Sequence, residues 1–348
     1  MARQLALDTI NLQPTERLAR TEYSLEYHKE FVHKKSGLDL TDPNCFSAFY
    51  DACGIDFLFG TNDGLHGDWF KFGRATEMGH AVYAADGSDM KPMQKSPFEE
   101  PEDVWAFDAV AEYGLPDFDE QVAAYEEMMQ NNRKKFPNQL CTGGFYKTIV
   151  SGAIAAFGWE MLLLAASQPA KMEKVLDSFF RNTLFHMEAW AKTSAEVIIQ
   201  HDDFVWANGP FLNPDFYRSV IIPRYAKLWK PLKEAGKKVL FCSDGNFTEL
   251  AHDVAEAGAD GFIFEPLIDF GFMVDHFGDS KVLVGSYADC REMTFGTWDK
   301  VKADVDRTLE AAKRCKGLIF AVGNHLPANI SEDMLSRYID YVNANIQK

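Results

Sequence analysis

The 348-residue chain has no CxxC pair among its six cysteines, Cys45, Cys53, Cys141, Cys242, Cys290 and Cys315. At that density and spacing a disulfide framework is not expected. No apolar run approaches the roughly 18 residues of a membrane span. The opening Met1-Ala2-Arg3-Gln4 lacks the apolar core of a signal peptide, so the expected location is cytoplasmic. Basic residues are scarce. Lys and Arg number 35 against 52 Asp and Glu, a net charge of −17, with no cluster beyond Arg133-Lys134-Lys135. That balance argues against a nucleic-acid partner. No GxGxxG or GxxxxGK[ST] turn follows any apolar run, which sets aside a doubly wound nucleotide-binding sheet. Internal repeats and low-complexity tracts are also absent.

What the chain does have is a series of short apolar runs, each ending in polar, metal-capable side chains. Val197-Ile198-Ile199 runs into His201-Asp202-Asp203, and Val239-Leu240-Phe241 into Cys242-Ser243-Asp244-Gly245-Asn246. Phe262-Ile263-Phe264 ends at Glu265, Val282-Leu283-Val284 at Ser286-Tyr287-Ala288-Asp289, and Leu318-Ile319-Phe320 at Asn324-His325. Amphipathic helical segments separate the runs. Asn213-Pro214 opens one helix, which is expected to kink at Pro223 and stop at Gly236. Strands alternating with helices predict βαβ units and a parallel sheet. The fold expected is α/β, a (β/α)8 TIM barrel formed by a single domain over residues 1–348. Residues 1–50 are read as an N-terminal helical extension and 60–120 as an elaborated loop excursion, with a hairpin near 79–83. Ile55–Phe59 is expected to be the first barrel strand. In such barrels the active site lies at the C-terminal ends of the strands.

Gly209-Pro210-Phe211-Leu212-Asn213-Pro214, Ser243-Asp244-Gly245-Asn246, Gly258-Ala259-Asp260, Gly296-Thr297 and Gly323-Asn324-His325-Leu326-Pro327 together resemble the uroporphyrinogen decarboxylase superfamily. The resemblance is clear over 140–348 and weak in the first 60 residues. It implies a β/α barrel and either decarboxylation or zinc-assisted methyl transfer linked to thiols or corrinoids. Two departures stand out. The Arg-rich N-terminal signature of true decarboxylases is replaced by Arg17-Leu18-Ala19-Arg20-Thr21-Glu22. The His-x-Cys of the zinc methyltransferases is replaced by Cys242-x-Asp244, and Asn324-His325 falls near their late cysteine.

The candidate metal ligands are therefore Cys242, Asp244, Glu265 and His325, a mixed set that suits zinc. Cys242 and Asp244 are two apart and share a face of their strand. The plain alternative is a buried cysteine beside a turn-capping aspartate. Glu265, His325, Asp202, Asp203 and Tyr287 are the candidate catalytic residues. A carboxylate closing an apolar strand is costly to bury unpaired, and histidine titrates in the range that proton transfer needs. One of the adjacent Asp202 and Asp203 is expected to enter the site and the other to support structure. His201, Asn246, Asp289, Asn324, Phe145 and Tyr146 are the candidate substrate-binding residues. The leading function is a zinc-dependent methyltransferase acting on a small molecule, with a thiol or the corrinoid of a partner protein as acceptor. The alternatives are a cofactor-independent decarboxylase and a non-catalytic binding barrel. No membrane partner is expected, and a homodimer is the base-rate expectation.

Overall fold

The computed structural model describes residues 2–60 and 96–347. Its strands are β1 (Ala19–Arg20), β2 (Phe57–Leu58), β3 (Leu140–Cys141), β4 (Gly143–Tyr146), β5 (Val197–His201), β6 (Lys238–Cys242), β7 (Gly261–Ile263), β8 (Val282–Gly285) and β9 (Gly317–Phe320). All pair in parallel. Seven form one sheet in the order β1-β9-β8-β7-β6-β5-β4, and β2 pairs with β3. β3 and β4 are separated only by Thr142. Its hydroxyl accepts from the Gly60 N–H at 3.0 Å, so a side chain takes over where the β2–β3 ladder stops. β1 meets the start of β2 through a main-chain bond from Asp56 N–H to the Arg20 carbonyl at 2.9 Å and a return bond from Arg20 N–H to the Asp56 carboxylate at 3.1 Å. The parallel α/β sheet expected from the alternation is present, but among the described residues its hydrogen-bond ladder does not close into a ring.

Alternation along the strands sorts side chains between two cores. Val197, Ile199, Leu240, Cys242, Ile263, Val284 and Ile319 form an inner cluster with Phe57 and Leu140. Their neighbours Ile198, Val239, Phe241, Phe262, Leu283 and Leu318 belong to the larger cluster shared with the helical layer. Helix α1 (Ala2–Ile10) adds buried Ala6 and Ile10 to the inner cluster. A Cβ on Gly317 would collide with the Leu12 side chain and the Thr9 carbonyl. The N-terminal segment thus packs directly on the start of β9. Close approach also explains Gly143, where a Cβ would stand 2.5 Å from the Trp190 ring.

Several boundaries differ from expectation. The first strand is not Ile55–Phe59 but Ala19–Arg20, inside the segment read as a helical extension. Two residues of strand give too little pattern to see against flanking polar residues. Part of the expected loop excursion is helical, at Pro101–Ala106 and Ala109–Tyr113, the second capped by Asp108. The expected hairpin near 79–83 lies outside the described residues. The helix begun by Asn213, whose side chain accepts from Asp215 N–H, does deform before Pro223. Tyr217–Ile221 form a widened turn in which Ile222 N–H reaches back to the Tyr217 carbonyl. Widening gives the proline ring room against the preceding turn. The helix then runs from Ile222 to Glu234. No helix among the described residues is long and apolar enough to cross a membrane.

Candidate active site

The inner face continues past the strand ends. Val197 and Ile199 are followed on that face by His201, Leu240 and Cys242 by Asp244, and Ile263 by Glu265. Tyr146 at the end of β4 lies against His201, with ring centroids 4.2 Å apart. Phe59 after β2 and Tyr23 after β1 complete the wall. The rings of Tyr23 and Phe59 are 4.9 Å apart, and those of Tyr23 and His325 are 4.4 Å apart.

Asp203 is the best-supported carboxylate. It accepts from Tyr146 OH at 3.0 Å and from Asp244 N–H at 2.9 Å, and His201 Nε2 lies 3.0 Å away. Burial opposes its ionisation, but the adjacent His201 and these donors outweigh it, so its carboxyl is held below the usual range. Asp244 has the opposite environment. Burial, then the charges of Asp203 and Glu265, push its carboxyl well above the usual range, against a smaller pull from Arg291. Its side chain is partly exposed and has no hydrogen-bond partner among the described residues. Cys242 is driven the same way by burial and by Asp244, Asp203 and Glu265, which makes it a thiol rather than a thiolate. Burial likewise raises Tyr23 and Tyr146, so both phenols stay protonated.

Glu265 is 3% exposed and fully engaged. It accepts from Gly245 N–H at 2.9 Å, from Asn324 Nδ2 at 2.8 Å and from Arg291 Nη1 at 3.4 Å. It therefore ties together the loops after β6, β8 and β9. Gly245 has φ +81, and a Cβ there would crowd the Val205 and Trp206 carbonyls at 2.8 Å. That turn brings the Gly245 N–H onto Glu265. His325 is held through Nδ1 by Ser24 Oγ at 2.7 Å. Ser24 itself adopts the left-handed conformation, φ 66.

The other candidates lie elsewhere. Asp202 turns to the opposite face and caps the helix Val150–Phe157. It accepts from Ile149, Val150 and Ser151 N–H at 3.3, 3.2 and 2.6 Å, and from Tyr225 OH at 2.7 Å. Phe145 is fully buried and stacks on His186 at 4.4 Å. Tyr287 packs in the helical layer against Phe270, beneath Arg307. Asp289 caps the helix Cys290–Phe295 through Arg291 N–H. Asn246 folds back on Thr248, accepting from its N–H at 3.1 Å and its hydroxyl at 2.6 Å. The structure thus assigns Asp202, Phe145 and Tyr287 to packing and capping, away from the inner face, while Asp289, besides capping its helix, lies 3.6 Å from the Arg291 Nη1 that also meets Glu265. The residues not anticipated are Tyr23, Phe59 and Arg291. The alternation Ala19, Thr21, Tyr23 and Phe57, Phe59 carried a signal for the first two.

The four expected zinc ligands do not assemble. No group of three or more His, Cys, Asp or Glu among the described residues is arranged to hold a metal ion. Both Glu265 oxygens already accept protein hydrogen bonds from Gly245 and Asn324. The donor set does not fit a zinc centre.

Residues 73–345 match the family described as uroporphyrinogen decarboxylase (URO-D). The chain belongs to this family. A curated relative, uroporphyrinogen decarboxylase of Streptomyces avermitilis, is 24% identical over 179 residues, covering 51% of this chain. That match spans about half (48%) of the relative's length. Among solved structures, a methyltransferase from Methanosarcina mazei matches with a TM-score of 0.62 at 15% identity. It covers 99% of this chain and 97% of that one, which shows a shared fold. This URO-D family member therefore has a parallel α/β fold, with ionisable groups gathered at the strand ends.

Proposed function

We propose that this protein is an enzyme that donates a proton from Asp244 to a small molecule held at the C-terminal ends of the strands. The two ladders are taken as parts of one eight-stranded β/α barrel in a single domain. The observation that carries the proposal is the opposed surroundings of two neighbouring carboxyls. His201, Tyr146 and the Asp244 N–H favour the charged form of Asp203, while burial and the charges of Asp203 and Glu265 favour the neutral form of Asp244, whose side chain has no hydrogen-bond partner among the described residues. Neighbouring acids whose surroundings push them apart supply the two halves of acid–base chemistry.

The reaction favoured is methyl transfer from a methylated heteroatom of the substrate. The bond between methyl carbon and heteroatom breaks, and its electron pair stays on the heteroatom. The Asp244 proton neutralises that atom as the methyl group passes to an acceptor. Asp203 remains ionised and offsets positive charge on the activated substrate. Tyr23, Phe59 and Tyr146 supply apolar walls. Full-length fold likeness to a methyltransferase supports this choice, as does the engagement of the two N-terminal arginines. Arg17 is bound to Asp56 at 2.7 Å, and Arg20 to the Ile339 carbonyl and Asn343. A polycarboxylate would therefore lack partners in these two arginines. The acceptor is a thiol, which gives up its proton to solvent as its sulfur takes the methyl group, or the corrinoid of a partner protein. Zinc has no part in this account, because the residues do not fit it.

Decarboxylation is the second reading, supported by the family and by the same pair of acids. There the Asp244 proton goes to the carbon that loses CO2. Assays of methyl loss and CO2 release on a panel of small methyl ethers, methylamines and aromatic acids separate the two. Under either reading, Asp244→Asn lowers kcat by about 10²–10⁴-fold, the usual contribution of a general acid. Turnover that survives this change intact removes Asp244 as the proton donor.

A further inference from the structure

We infer that His252 and His276 form a surface site for a late first-row divalent metal ion. It lies on the outer helical layer, apart from the strand-end groups, and is independent of the proposed function. His252 is the second residue of the helix Ala251–Ala257, and His276 is in the last turn of the helix Phe270–Phe277. These helices follow β6 and β7. Both imidazoles are exposed, and Nε2 of His252 stands 3.1 Å from Nδ1 of His276. The rings are 4.9 Å apart at 84°.

Two imidazole nitrogens bound to one ion at about 2.0–2.1 Å, with an angle between tetrahedral and square, stand about 2.9–3.4 Å apart. The observed separation lies inside that window. Aromatic packing holds both rings in place. His276 lies 4.2 Å from Phe272, and His252 lies 4.9 Å from Phe277. An ion there would reach a largely pre-set pair and would order little. The end of the helix Phe270–Phe277 carries the negative end of its dipole, which favours a cation beside His276. Net charge of −17 adds a long-range attraction for cations. No third His, Cys, Asp or Glu completes a cluster among the described residues. Water therefore fills the remaining positions, and the ion bridges two successive helices.

The full-length protein, stripped with a chelator, is titrated with Ni²⁺ and separately with Cu²⁺ by calorimetry. The wild-type chain is expected to bind one equivalent that is at least tenfold weaker, or absent, in both His252→Ala and His276→Ala. Sub-stoichiometric Cu²⁺ broadens the NMR signals of these two rings first in the wild-type chain, a readout that needs no variant. Unchanged affinity in both variants, or broadening that begins elsewhere, overturns the site and leaves the pair as a plain hydrogen bond.

Discussion

At the scale of single residues, the separation of Asp203 from Asp244 comes from what each oxygen touches. Asp203 has a histidine and two donors, and Asp244 has none and looks toward two other carboxylates. This has a consequence for stability as well as chemistry. In the unfolded chain Asp244 loses its proton as pH rises through the ordinary carboxylate range, about 4. In the folded chain it keeps the proton to higher pH, so the folded state binds more protons and stability falls across that interval. Asp244→Asn removes the penalty. The melting temperature of this variant is expected to exceed that of the wild type at pH 7, with the gap closing near pH 3. A variant that melts lower at pH 7 would show that Asp244 is ionised and paired in the fold. Proton donation has the matching sign, since activity falls as pH rises through the folded-state value of Asp244.

At the scale of elements, adjacent residues serve opposite faces. Asp203 supports the strand-end site, while Asp202 receives the first N–H groups of the helix Val150–Phe157 and the Tyr225 hydroxyl. Helix starts leave N–H groups without partners, and burial makes that costly. Asp202→Ala is expected to lower unfolding free energy by about 3 kcal/mol in denaturant titrations. A loss under about 1 kcal/mol would mean that the cap is replaceable. The sequence told that one of this pair would support structure, because alternation alone requires it. It could not tell which, because the helix being capped starts some 50 residues earlier in the chain. The same limit hid the role of Glu265. An apolar strand ending in glutamate signals a buried partner, but the partners Gly245, Arg291 and Asn324 come from three separate segments, following β6, β8 and β9. Tyr287 was placed by strand spacing alone, and its ring packs in the helical layer against Phe270.

At the scale of the whole molecule, the alternating strands and helices from residue 197 onward were legible because each run is apolar and bounded by caps. The first strand was not, since β1 is two residues long and takes its place by pairing with β9, some 300 residues away. Helix α1 was recognised as a helix, but its packing on the inner cluster was not. Deleting residues 1–12 is expected to lower the melting temperature strongly, because it uncovers the inner cluster that Ala6 and Ile10 now close. An unchanged melting temperature would contradict that packing. The fold, the family and the proposed chemistry all meet at the strand ends, where the surroundings push one carboxyl toward its neutral form beside another held toward its charged form. The most direct test is infrared difference spectroscopy of wild-type protein against Asp244→Asn at pH 7. The account predicts a protonated carboxyl band in the wild type that the variant lacks, and a wild type without that band at pH 7 would contradict it.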